Sequence, residues 1–121
     1  MTYVVTNNKM VVEKFKYDNL VFIDGDYLDV LTYVRNKIQI NYSLLTHPLA
    51  SNFLPDKTIY KTIIIKEGKE LDLQSLQIIE DAFTLASESL PRRSDKILAD
   101  NILKDLRFID YQVIKDSLNK I

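Results

Sequence analysis

The sequence predicts an α/β fold: a small, mostly parallel four-stranded sheet flanked by helices, with a C-terminal helix. Three observations predict it. Short β-rich runs alternate with helical apolar spacing along the 121-residue chain. The run Leu20-Val21-Phe22-Ile23 is unbroken by polar residues, as strands buried in parallel sheets usually are. Only two glycines and three prolines occur, so turns are few and most of the chain is regular. The length suits one domain spanning residues 1–121.

Tyr3-Val4-Val5 reads as a first strand. Thr6-Asn7-Asn8 ends it, and either asparagine can accept hydrogen bonds from free amides of a helix running to about Tyr17. Val11, Val12 and Phe15 sit at helical spacing there. Leu20 to Ile23 is the second strand, ended by Asp24-Gly25-Asp26. Asp26 suits the N-cap of a helix with Tyr27, Leu31, Val34 and Ile38 on one face. Tyr42 to Leu45 is a short third strand. An irregular stretch from Thr46 to about Tyr60 holds Pro48 and Pro55. Lys61 to Lys66 is the strand most marked by β-branching. With no helix evident before it, this strand can also pair antiparallel.

Gly68 turns the chain, and Asp72 caps a long helix with Leu76, Ile79, Phe83, Ala86 and Leu90 as its stripe. Pro91-Arg92-Arg93 is expected to break it, and Ser94 to cap a last helix over residues 94–121. The stripe of that helix is Ile102, Leu106, Ile109 and Val113. It must be covered, by the domain's own sheet or by a second copy in a homodimer. The layering is Rossmann-like, and the expected core includes Val4, Val5, Val21, Ile23, Ile64, Ile79 and Phe83.

Hydrophobic residues are 46% and charged residues 27%, which excludes a disordered or collagen-like chain. A net charge of -1 offers no strong field for nucleic acid. Cysteine is absent, which excludes disulfides, thiolate ligands and a Cys nucleophile. The N-terminus lacks the pattern of a signal peptide, and no apolar run is long enough to span a bilayer, so a cytoplasmic protein is expected. No Gly-rich phosphate loop, dinucleotide fingerprint or zinc-protease histidine pair occurs. No cofactor and no metal are expected.

In an open parallel sheet, ligands bind beyond the carboxyl ends of the strands. The polar pieces at those ends supply the candidate ligand-binding residues: Thr6, Asn7 and Asn8; Asp24 and Asp26; Thr46, His47 and Ser51. The first three are either plain caps or donors to a small anion. The two aspartates are either cap and turn residues or carboxylate ligands. An anion should favour the asparagine end, away from the acids. His47, the single histidine, is the candidate acid or base, the alternative being a structural loop residue. A Ser51–His47–Asp24 triad lacks a nucleophile-elbow motif.

Thr6-Asn7-Asn8, Asp26 to Leu31, Leu44-Leu45-Thr46-His47-Pro48-Leu49 and Leu71 to Glu80 resemble GrdX-like proteins. Lys9 stands where members often carry proline, and Ala50-Ser51-Asn52-Phe53 where they often carry a glycine–serine pair. This small family accompanies glycine, sarcosine and betaine reductase genes of anaerobic bacteria. The resemblance implies a cytoplasmic accessory protein with no established catalytic residues. Its expected partners are reductase-complex proteins or a small anionic ligand, and neither nucleic acid nor membrane. The alternative is an enzyme or sensor of small molecules that uses the polar edge, with His47 as acid or base.

Overall fold

A computed structural model describes residues 1–48, 59–93 and 100–120. Among the described residues, eight elements follow in chain order: β1 (Thr2–Thr6), α1 (Lys9–Lys14), β2 (Leu20–Phe22), α2 (Tyr27–Ile38), β3 (Ser43–Leu44), β4 (Thr62–Lys66), α3 (Leu73–Arg93) and α4 (Asp100–Lys120). No helix among the described residues is long and apolar enough to cross a membrane.

The four strands form one sheet in the order β2-β1-β4-β3. β1 pairs parallel with β2, while β4 pairs antiparallel with both β1 and β3. This corrects the expectation of a mostly parallel sheet: the sheet is mixed, and most of its pairings are antiparallel. The connection explains it. A parallel pair needs a crossover, usually helical, to carry the chain back to the starting edge. β4 instead pairs antiparallel with β3, an arrangement that needs no such crossover. β1, β2 and β3 nevertheless run in one direction, so their carboxyl ends share an edge with the start of β4. Thr6 lies opposite both Phe22 and Thr62 there.

Alternation along the strands sorts the apolar side chains onto two faces. Val5, Ile63 and Ile65 pack with Val30, Leu31, Val34 and Ile38 of α2 and with Ile79, Ala82 and Ala86 of α3. Val4 and Ile64 point the other way, onto Val11 of α1 and Ile114 of α4. Val21, Ile23 and Phe83 are partly buried at the margin of the first cluster. All three are less enclosed than expected; for Val21 and Ile23 the reason is that β2 is an edge strand. α4 folds back onto its own sheet. Its inward positions are Asp110, Tyr111, Ile114 and Leu118, whereas Ile102 of the expected stripe is exposed.

Helix ends match local chemistry. Asp26 and Asp29 form a reciprocal capping box at α2, each carboxylate accepting from the other residue's backbone N–H. Gly25 is required beside it, since a Cβ would collide with the Asp29 carboxylate. Asn8 caps α1, its side chain accepting from the Met10 N–H at 3.0 Å. α1 spans only six residues and ends at Lys14, short of the expected Tyr17. α3 continues past Pro91, where a break is expected, to Arg93. A proline in a last turn forfeits a single backbone bond near the helix end, which packing elsewhere offsets. The expected Ser94 cap lies outside the described residues.

Candidate functional site

The shared strand edge is polar, and its polar groups are bound mainly to one another. Asn8 donates from its backbone N–H to the Thr6 hydroxyl at 3.0 Å. The Thr6 and Thr62 hydroxyls lie 2.7 Å apart, and Thr62 donates to an Asp110 carboxylate oxygen at 2.7 Å. A hydroxyl has one proton, so with Asp110 ionised the Thr6 hydroxyl must be the donor to Thr62. Asp110 also accepts from the Thr62 backbone N–H at 3.1 Å and the Asn8 amide at 3.0 Å. Asn8 donates again to the Arg107 carbonyl at 2.9 Å. One buried carboxylate therefore ties α4 to β4 and to the start of α1.

Burial raises the Asp110 pKa, and its bonds to Thr62 and Asn8 and the nearby Lys61 pull it back down. Lys61 is also buried, which lowers its pKa to about 8, while Asp110 pulls it back up. Its ammonium lies 5.6 Å from the centroid of the Tyr27 ring. Tyr27 in turn donates to the Pro48 carbonyl at 3.2 Å. Lys61 is a buried structural cation, enclosed too fully to meet a ligand.

Asn7 is a brace. Its amide donates to the carbonyls of Gly25 at 3.1 Å and Ile59 at 2.9 Å, and its oxygen accepts from the Lys61 N–H at 2.9 Å. That pins the loop after β2 and the approach to β4 against the end of β1. In front of this brace opens a cleft of about 510 Å³. Its floor includes Asn7, Gly25 and Phe22. α1 contributes Lys9 and Glu13, and Asp24 stands at the end of β2. α4 contributes Lys104 and Arg107, one turn apart and in line with Asp110. Arg107 donates to the Tyr60 hydroxyl at 2.9 Å, with its guanidinium 5.5 Å from the centroid of that ring.

A family model described as GrdX-like protein matches residues 3–119. The chain belongs to the GrdX-like family. Searches of curated proteins and of solved structures returned no significant match.

In this GrdX-like chain, the residues singled out from sequence separate into distinct roles. Asn7 and Asp24 line the cleft. Thr6 and Asn8 stand behind it in the Asp110 network. Asp26 is spent on the α2 cap. Thr46 accepts from the Ile64 N–H at 3.0 Å and so finishes the β3–β4 ladder. His47 is exposed and lies past β3, at the opposite side of the sheet from β2. Three strand spacings separate the ends of β2 and β3, about 14 Å at ~4.8 Å each. The structure therefore does not bring His47 and Asp24 together. Ser51 lies outside the described residues. Among the described residues, no group of three His, Asp or Glu could hold a metal ion.

Lys9, Glu13, Lys104, Arg107 and Asp110 are residues that sequence reasoning missed. One signal pointed at Asp110: a carboxylate directly beside Ile109, on the side of the helix that ends at Ile114. A charged residue inside an apolar stripe is rarely buried without a partner.

Proposed function

We propose that the protein is a non-catalytic, cytoplasmic accessory protein of glycine, sarcosine or betaine reductase metabolism that binds a small anionic ligand in this cleft. Family membership supports the metabolic setting. The observation that carries the binding is the convergence of Lys9, Lys104 and Arg107 on one cleft. Among the described residues, none of them lies within ion-pair distance of a carboxylate. A cation that is not neutralised within the protein is available to a ligand, and a guanidinium suits carboxylate and phosphate oxygens.

The non-catalytic part of the reading rests on how the other groups are used. The hydroxyls and amides of Thr6, Asn7 and Asn8 already bond within the protein, which leaves them little capacity for proton transfer to a substrate. His47 stands away from the cleft, on the far side of the sheet. The test is calorimetric titration of the intact protein with acetate and with inorganic phosphate. Saturable one-site binding is expected for at least one of them, weakened at least tenfold in a Lys104→Gln/Arg107→Gln variant. No binding of either anion, or binding untouched by the double substitution, would remove this reading.

A further inference from the structure

The anion reading leaves part of the cleft unexplained. Beside its three cations it holds two carboxylates, Glu13 and Asp24. A ligand that is only an anion gains from the first set and is repelled by the second. Among the described residues neither carboxylate pairs with a cation. Both signs are therefore presented to the same volume.

Arg107 and Asp24 are also set apart in space, while Lys9 stands one turn from Glu13 on α1. Arg107 is held against Tyr60, just before β4, whereas Asp24 stands just past β2. β1 lies between those two strands, so the two charges approach the cleft from opposite sides. Two strand spacings, about 10 Å, separate the strand that Tyr60 precedes from the strand that Asp24 follows. The cleft that both line, about 510 Å³, has room for one small molecule. Lys104 reinforces the positive end from α4. Phe22, on the cleft floor beside Asp24, adds an aromatic surface at the negative end, where a cation gains further attraction.

We propose that the cleft takes a small amino-acid zwitterion, its carboxylate towards Arg107 and Lys104 and its ammonium towards Asp24 and Glu13. This rests on the reading of the cleft as a binding site and specifies its ligand class. Glycine is the smallest such zwitterion, and acetate and methylamine each carry one of its halves. Calorimetric titration of the full chain with all three is the test. Glycine is expected to bind at least tenfold more tightly than either half. Glu13→Gln/Asp24→Asn should erase that advantage over acetate while leaving acetate binding equal or stronger. Both of these side chains line the cleft, so thermal unfolding of the variant should match the parent and exclude misfolding. Acetate binding as tightly as glycine would overturn the zwitterion and leave the anion reading standing. Methylamine binding most tightly, or no binding of any probe, would overturn both.

Discussion

The two faces of the sheet are closed by different physics. On the α2–α3 face, one cluster of eleven buried residues among those described, all apolar save the Tyr27 hydroxyl, covers the strands. On the α1–α4 face the corresponding cluster has four among the described residues, Val4, Val11, Ile64 and Ile114. There the Asp110 network contributes what apolar area does not. Apolar contact is non-directional and tolerates small slides of a helix. Hydrogen bonds to a buried carboxylate do not, because a shift leaves donors unpaired. The face that needs only to be covered uses volume. The face that must hold Lys104 and Arg107 over a cleft uses a directional clamp.

The largest effect should fall on the first face. Ile79 is fully buried between α3 and the sheet. Ile79→Ala should lower unfolding free energy by about 2–5 kcal/mol, from lost transfer energy plus a cavity. Urea unfolding measures it, and ligand titration of the folded variant should be unaltered. An unchanged midpoint would break the comparison at its strongest point.

The second effect is a pH dependence arising at the junction of the faces. Lys61 has its pKa lowered to about 8 in the fold, from 10.5 in the free chain. Between those values the unfolded chain holds more protons, so stability rises with pH. From pH 8 to 10 the gain should be about 2 kcal/mol, less than the full ~1.4 kcal/mol per pH unit because the group is partly titrated at each end of the window. Above pH 10 the sign reverses, because Tyr42 is held up to about 12 and the folded state then keeps the extra proton. Lys61→Met should flatten the rise below pH 10. A rise of equal slope in that variant would assign it elsewhere.

The third effect isolates the clamp. Asp110→Ala orphans the Thr62 N–H, the Thr62 hydroxyl and one donor of Asn8. Removing a buried carboxylate recovers part of that loss, so about 2 kcal/mol of net destabilisation is expected. Amide exchange should quicken in α4 more than in α2, and anion binding should weaken although Asp110 does not line the cleft. Equal exchange in both helices would mean that apolar packing alone holds α4.

Much of the first face was legible in the sequence, because period and capping are local signals. The Val-Ile runs, the Asp26 cap and the stripe of α2 all follow from residues within a few positions of each other. Strand direction was not, since a β-branched run such as Thr62 to Lys66 suits a parallel or an antiparallel ladder alike. The cleft was half legible. Asn7 and Asp24 end adjacent parallel strands, so their proximity follows from the βαβ pattern. Lys104 and Arg107 come from about a hundred residues further on, and only the fold back of α4 brings them there. The polar residue types at the strand ends were visible, but not which of them the fold itself consumes.

That distinction between a spent and an available side chain can be tested on two aspartates only two positions apart. Asp26 is half of the α2 capping box, on the heavily packed face, and Asp24 lines the cleft without a cation partner among the described residues. Asp26→Ala removes an acceptor from the first turn of α2 and should cost about 1 kcal/mol, the usual value of an N-cap. It should leave glycine and acetate binding within experimental error. Asp24→Asn should do the reverse, with an unaltered unfolding midpoint and a diminished preference for glycine over acetate. Thermal unfolding and calorimetry on the same two proteins give four readings. A loss of binding in Asp26→Ala with no loss of stability would mean that the capping aspartate faces the ligand. A drop in stability in Asp24→Asn would mean that Asp24 serves the fold, and the negative end of the cleft would then rest on Glu13 alone.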